Sequence, residues 1–161
     1  MLTAQIRTRL LRVMRRKFKV EIAEIRSNDW HPEDIANYLK SRGWLVLHDK
    51  DCADTFLAGW HRPILQSVCG DFLIKNAQFT TARRSHRHFI PTTVIVKKAW
   101  GDAPDTVFSY PWVIQPVVDV TRKASREAYR ALKYARDLPC KVDLHDANTG
   151  MFMDTPVLFD W

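Results

Sequence analysis

The sequence predicts an α/β (α+β) fold: a single domain in which a mixed sheet of about five or six strands carries an N-terminal basic helix and two further helices. Three observations carry that expectation. Residues 112–144 read as strand, helix, strand. Thr92, Thr93, Val94, Ile95 and Val96 form a β-branched run of the kind that fills a central strand. The 161 residues, 46% of them apolar, can fill one core but not those of two ordinary domains. Residues 1–161 are accordingly one unit, made of a basic helix over 1–19 and a body over 20–161.

In the first segment Leu2, Ile6, Leu10, then Val13 or Met14, and Lys17 or Phe18 trace a helical stripe, with arginines around most of the remaining circumference. Phe18, Val20 and Ile22 alternate with Lys19 and Glu21, the period-two pattern of a half-buried strand. Pro32 at a first turn, Glu33 and Asp34 beside it, Ile35 and Leu39 four apart, and Gly43 after Arg42 delimit a helix over 32–41. Trp44, Leu45, Val46 and Leu47 follow as a buried strand, and residues 63–68 and 71–74 as two strands turned at Gly70. Gly101, Asp102, Pro104 and Asp105 mark a loop before the strand at 112–120. The helix over 125–137 shows an apolar stripe of Ala128, Ala131, Leu132, Ala135 and Leu138 opposite Arg126, Arg130 and Lys133, with Ser125 as N-cap, Glu127 in the first turn and Pro139 beyond its end. A strand over 140–144 and a last edge strand within 151–159, kept from a central place by Pro156, complete the sheet.

The formal charge of +7 is localised. Seven of the 25 basic side chains, Arg7, Arg9, Arg12, Arg15, Arg16, Lys17 and Lys19, fall within residues 1–19 with no acid, which leaves 18 basic against 18 acidic side chains in the body. Attraction to phosphate or to an acidic partner is expected there, with Arg83, Arg84 and Arg87 of a basic loop as a second contact. Three uses stay open for the leading segment: a helix docked on its own sheet, a contact for nucleic acid or an acidic protein, and a targeting peptide, which a mature chain beginning at Met1 would have lost. Cys52, Cys69 and Cys140 match neither a disulfide framework nor a metal knuckle, so they read as buried thiols in a reducing compartment. Charged or polar residues interrupt every apolar run within about ten positions, so no membrane span is expected.

One set of residues suggests chemistry. His48, Asp49, Lys50 and Asp51 end a strand, His86-Arg87-His88 precedes another, and Tyr129 and Lys133 stand one helical turn apart. That combination resembles the rolling-circle replication nickases. The resemblance implies a divalent metal on His86, His88 and Asp49 or Asp51, with Tyr129 attacking a phosphate of single-stranded DNA beside Lys133. Arg87 departs from the pattern, since a cation stands where an apolar side chain should anchor the strand. Asp71 and Lys97 are similar to the corresponding strands of metal-dependent nucleases, but Ile95 occupies the place of the second carboxylate. Gly-rich phosphate loops, nucleophile elbows and HExxH are absent.

The order of elements resembles a different class, small phage neck and tail-terminator proteins. These begin with a helix like 2–18, continue with a strand and a helix like 32–41, and later lay a helix such as 125–137 against a mixed sheet. The resemblance implies a non-enzymatic virion assembly subunit, a homo-oligomer joined by sheet edges and loops, cytoplasmic or virion-associated, without metal or cofactor. Its N-terminal helix would meet partner subunits or nucleic acid. Some of Trp30, Trp60, Trp100 and Trp161 would serve subunit contacts. The assembly subunit is the favoured expectation and the nickase the alternative.

Overall fold

The computed structural model describes residues 1–47, 64–76, 86–99, 109–138 and 144–159. Three helices come first, α1 (Ala4–Lys17), α2 (Lys19–Ser27) and α3 (Pro32–Ser41), followed by strands β1 (Leu45–Leu47), β2 (Ile64–Gln66), β3 (Phe72–Asn76), β4 (Thr93–Ala99) and β5 (Ser109–Pro116). Helix α4 (Arg122–Lys133), a 3-10 turn (Asp146–Asn148) and the hairpin β6 (Thr149–Phe152) and β7 (Thr155–Leu158) complete the chain. The first five strands form one sheet in the order β1-β2-β3-β5-β4. The chain is thus a single α+β domain. Among the described residues every pair of these strands is antiparallel, where a mixed sheet was expected.

The main core lies between the helices and one face of that sheet. Met14, Phe18, Ile22 and Ile25 recur at steps of four, four and three, and all four are buried. They meet Ile35 and Leu39 of α3, Trp44, Leu65, Ile74, Trp112 and Ile114. Phe18 packs against Trp44 at 5.1 Å and edge-on to Phe72 at 5.3 Å, so it is a hub between helices and sheet. Residues 18–22 are therefore helical and not the expected strand: Val20, which a half-buried strand would place beside Phe18 and Ile22, is 53% exposed. The chain bends at Phe18, which ends α1 and whose carbonyl accepts the Ile22 N–H at 2.9 Å. Glu21 is buried with α2, and Arg42 Nε donates to its Oε1 at 2.8 Å.

Both sheet edges differ from expectation. Among the described residues the strand at Leu45–Leu47 is an edge strand and not the buried one expected. The β-branched run of β4 lies at the other edge, beside β5, which takes the interior place. A bulge between Val94 and Val96 interrupts the β4 register. Arg26 closes part of this edge, donating from Nε to the Ile95 carbonyl at 2.6 Å and from Nη2 to that of Val94 at 3.3 Å.

Helix α4 rests on the β6–β7 hairpin and not on the large sheet. It starts at Arg122 because Thr121 caps it, accepting the Ala124 N–H at 3.4 Å, while Asp119 Oδ1 accepts the Thr121 N–H at 2.9 Å. Ser125, the expected cap, is instead buried one turn in, and its carbonyl accepts from the Thr149 hydroxyl at 3.0 Å. The buried stripe is Ala124, Ala128 and Leu132; Ala131 is exposed. Leu132 packs with Phe89 and Leu158, and Leu2 of the N-terminus packs with Ile90 and Val157. Gly150 is required by close approach, because a Cβ there would stand 2.6 Å from the Asp119 carbonyl oxygen. The strand expected at 140–144 falls mostly outside the described residues; Leu144 itself is not in a strand. Among the described residues no helix is long and apolar enough to cross a membrane.

Candidate functional site

The His86-Arg87-His88 motif is held by backbone on two sides. The Ile90 N–H donates to the Leu158 carbonyl at 2.8 Å and the Leu158 N–H to the His88 carbonyl at 2.7 Å, which ties the segment to β7. Arg7 reaches from α1 and donates to the carbonyls of Phe89 and Arg87. Asp137, four residues past α4, then engages all three side chains of the motif. Arg87 Nε lies 2.6 Å from its Oδ2, His88 Nε2 lies 2.7 Å from its Oδ1, and His86 Nε2 donates to its backbone carbonyl at 2.8 Å. The hydrogen bond from Arg87, followed by that from His88, holds the Asp137 carboxyl far below the usual carboxylate range.

This geometry bears directly on the metal roles that the nickase resemblance implied. The other ring nitrogen of His86, Nδ1, accepts the His88 N–H at 3.3 Å, so both nitrogens of that ring are already engaged. Among the described residues no group of three or more His, Cys, Asp or Glu side chains converges as a metal site requires. Asp49 and Asp51 lie outside the described residues, as do Arg83 and Arg84. Tyr129 is half-buried on α4, with Lys133 Nζ 6.0 Å from its ring centroid, and neither histidine lines the cleft into which it opens.

Of the cations expected to make contacts, Arg7 and Arg87 are spent on the latch just described. Arg9, Arg12, Arg15, Arg16, Lys17 and Lys19 are exposed, and among the described residues none has an ion-pair partner. Because Met14 and Phe18 are buried beneath them, they sit on a rigid support. Arg15 and Lys19 line a cleft of about 710 Å³ with Leu11, Arg26 and Thr93 beside the β4 edge. Cys69 is exposed and not buried as expected, whereas Cys52 and Cys140 lie outside the described residues. Burial raises its thiol, but hydrogen bonds from Ser67, the Asp71 backbone and Lys17 outweigh that and bring it below the ordinary thiol value. Of the four tryptophans expected at contacts, Trp30 is half-buried and packs on Tyr38 at 5.0 Å; Trp60, Trp100 and Trp161 lie outside the described residues.

A second basic surface lies on the outward face of α4, where Arg126, Arg130 and Lys133 were expected to stand together but not to make contacts. Arg122, Arg126, Arg130 and Lys133 lie at steps of four, four and three along α4, opposite its buried alanines and leucine. With Tyr129, Tyr134, His145 and Asp146, the last three cations of that row line a cleft of about 670 Å³; Arg122, with Lys123, Arg126, Glu127 and Arg130, lines an adjoining one of about 610 Å³. The four-residue spacing of like charges is the signal that would have revealed it. Compared with known proteins, the chain matches no family model, no curated protein and no solved structure.

Proposed function

We propose that this chain is a non-enzymatic assembly subunit that joins further copies of itself through the β1 edge of its sheet and meets an acidic partner or nucleic acid with the cations of α1. The observation that carries this reading is the character of that edge. Leu45 and Leu47 project from the same side of β1 and are 62% and 39% exposed, while Val46 between them packs on the core. Val68 extends the apolar surface: it is 77% exposed, and a Cβ at Gly43 would lie 3.1 Å from its side chain. β1 pairs with β2 on one side, and among the described residues its other side has no strand; such an edge with outward leucines is a template for pairing with another chain, whereas β4 at the opposite edge is already bulged and blocked by Arg26. Among the described residues of the five-stranded sheet, β1 is the edge left open to a neighbour, which favours a closed pair over a fibre.

The histidine motif supports the same reading from another direction, since Asp137 and Arg7 use it to fasten the C-terminal layer to α1 and α4. The virion setting does not enter this proposal, because the second element of the order that suggested it is helix α2. Static light scattering tests the assembly. The expected mass is twice that of the 18.8 kDa chain, falling to one chain in Leu45→Lys/Leu47→Lys with the far-UV spectrum retained. A wild-type protein that stays at one chain's mass up to high micromolar concentration would rule the reading out.

A further inference from the structure

The outward face of α4 carries an arrangement that folding alone does not explain. Arg122, Arg126 and Arg130 stand four residues apart, where like charges on a helix destabilise it. Arg122 and Lys123 occupy the first turn, where the helix dipole favours acids, and the first turn holds none. Among the described residues none of Arg122, Lys123, Arg126, Arg130 and Lys133 has an ion-pair partner. Among the described residues the acids lining these clefts are Glu127 at the start of the helix and Asp146 at its end, against five cations. A helix that had only to be soluble would alternate its signs.

Aromatic side chains are interleaved with these charges. Tyr134 is 79% exposed at the end of α4, and Tyr129 lies half-buried in the same cleft under the Lys133 ammonium. The outward face bears no large aliphatic side chain, because Leu132 is turned into the core. An acidic peptide would need the cations but not the exposed phenol rings, and a lipid surface would need aliphatic groups that are missing here. Cations that follow a backbone, beside rings on which bases can stack, are the two components of a single-strand site. The support is rigid, since Ala128 and Leu132 are buried against the hairpin layer and Thr149 anchors the Ser125 carbonyl.

We propose that α4 and the 3-10 turn form a binding site for single-stranded nucleic acid, in which Arg126, Arg130 and Lys133 hold successive phosphates and Tyr134 stacks on a base. The site is separate from α1 and stands whether or not the chain assembles through β1. A duplex would present phosphates to the arginines but no open base to Tyr134, so preference for the single strand is the diagnostic property.

Fluorescence anisotropy of the full chain with a labelled 20-nucleotide oligo(dT) and with a duplex of equal length tests this. The wild type should bind the single strand at least fivefold more tightly than the duplex. Arg126→Gln/Arg130→Gln should weaken single-strand binding tenfold or more and flatten the log-affinity against log-salt slope by about 1.4, the value for two phosphates on a single strand. Tyr134→Ala should weaken it about fivefold or more with the slope unchanged. Lys40→Gln on α3, an exposed cation outside both basic faces, should leave the ratio of single-strand to duplex affinity as it was. Absence of binding, equal binding of the two forms, or a preference that survives both α4 variants would each overturn the proposal.

Discussion

Asp137 shows how much of this structure one exposed side chain organises. Its two carboxylate oxygens take Arg87 and His88, and its carbonyl takes His86. A motif that would otherwise be free to bind a cation is thereby held as a fastening. The pH dependence follows from the direction of the shift. The carboxyl is depressed in the folded chain by Arg87 and then His88, and in the unfolded chain it titrates near about 4. Its contribution to stability is therefore complete above that unfolded value and is lost as pH falls toward the folded one. Asp137→Asn should melt at a lower temperature than the wild type at pH 7, and the two should converge as pH drops below about 4. Thermal melts at pH 7, 5 and 3 check this; a gap of constant size at all three would show that the carboxylate's charge is not what holds the motif.

At the scale of elements, the turn of the β6–β7 hairpin sets local chemistry against the backbone. Phe152 pairs with Thr155, so Met153 and Asp154 form a two-residue turn, and both have positive φ, 49° and 56°. Non-glycine residues are disfavoured there, and Asn-Gly is the sequence such a turn prefers. Met153→Asn/Asp154→Gly should raise stability by about 1 kcal/mol, read as a higher urea midpoint with an unchanged slope; a lower midpoint would mean that the side chains of Met153 and Asp154 contribute more than their backbone strain removes. Elements with a stripe and marked ends were legible in the sequence: α1, α3 and the body of α4. Residues 18–22 were not, because Phe18 and Ile22 satisfy a strand period through Val20 and a helix period through Ile25, and only the burial of Ile25 against the exposure of Val20 decides between them. The start of α4 was missed because Thr121 and Ser125 are equally good cap residues one turn apart, and it is Asp119 that selects the first. The place of β4 was missed because a β-branched run reads alike at an edge or in the middle; the residue that makes the edge tolerable, Arg26, lies 69 positions from the Ile95 carbonyl it covers. The candidate site divides in the same way. The cations of α1 and the row on α4 can be read from local spacing, whereas the pairing of His88 with Asp137, 49 positions away, has no local sign.

At the scale of the whole molecule, the leading segment is both the most highly charged part of the chain and a structural member of the core. Leu2, Met14 and Phe18 are 8%, 0% and 5% exposed, in two different core clusters, and Arg7 holds the carbonyls of the histidine segment. Burying each such apolar side chain contributes about 1.5–3 kcal/mol, so the three together supply roughly 5–9 kcal/mol, a large share of the 5–15 kcal/mol by which a domain is ordinarily stable. The segment therefore cannot act as a detachable arm whose removal leaves a neutral globule. Deleting residues 1–19 should abolish cooperative unfolding and expose the buried Trp44 and Trp112, seen as a red-shifted fluorescence maximum and loss of the near-UV signal. Replacing Arg9, Arg12 and Arg16 by Gln should instead leave the melt within a few degrees of the wild type, because these side chains are exposed and among the described residues none is ion-paired. A truncated chain that still melted cooperatively would show the helix to be an appendage. It would also remove the reason for reading the α1 cations as a rigid face, since that reading depends on Met14 and Phe18 anchoring the helix beneath them.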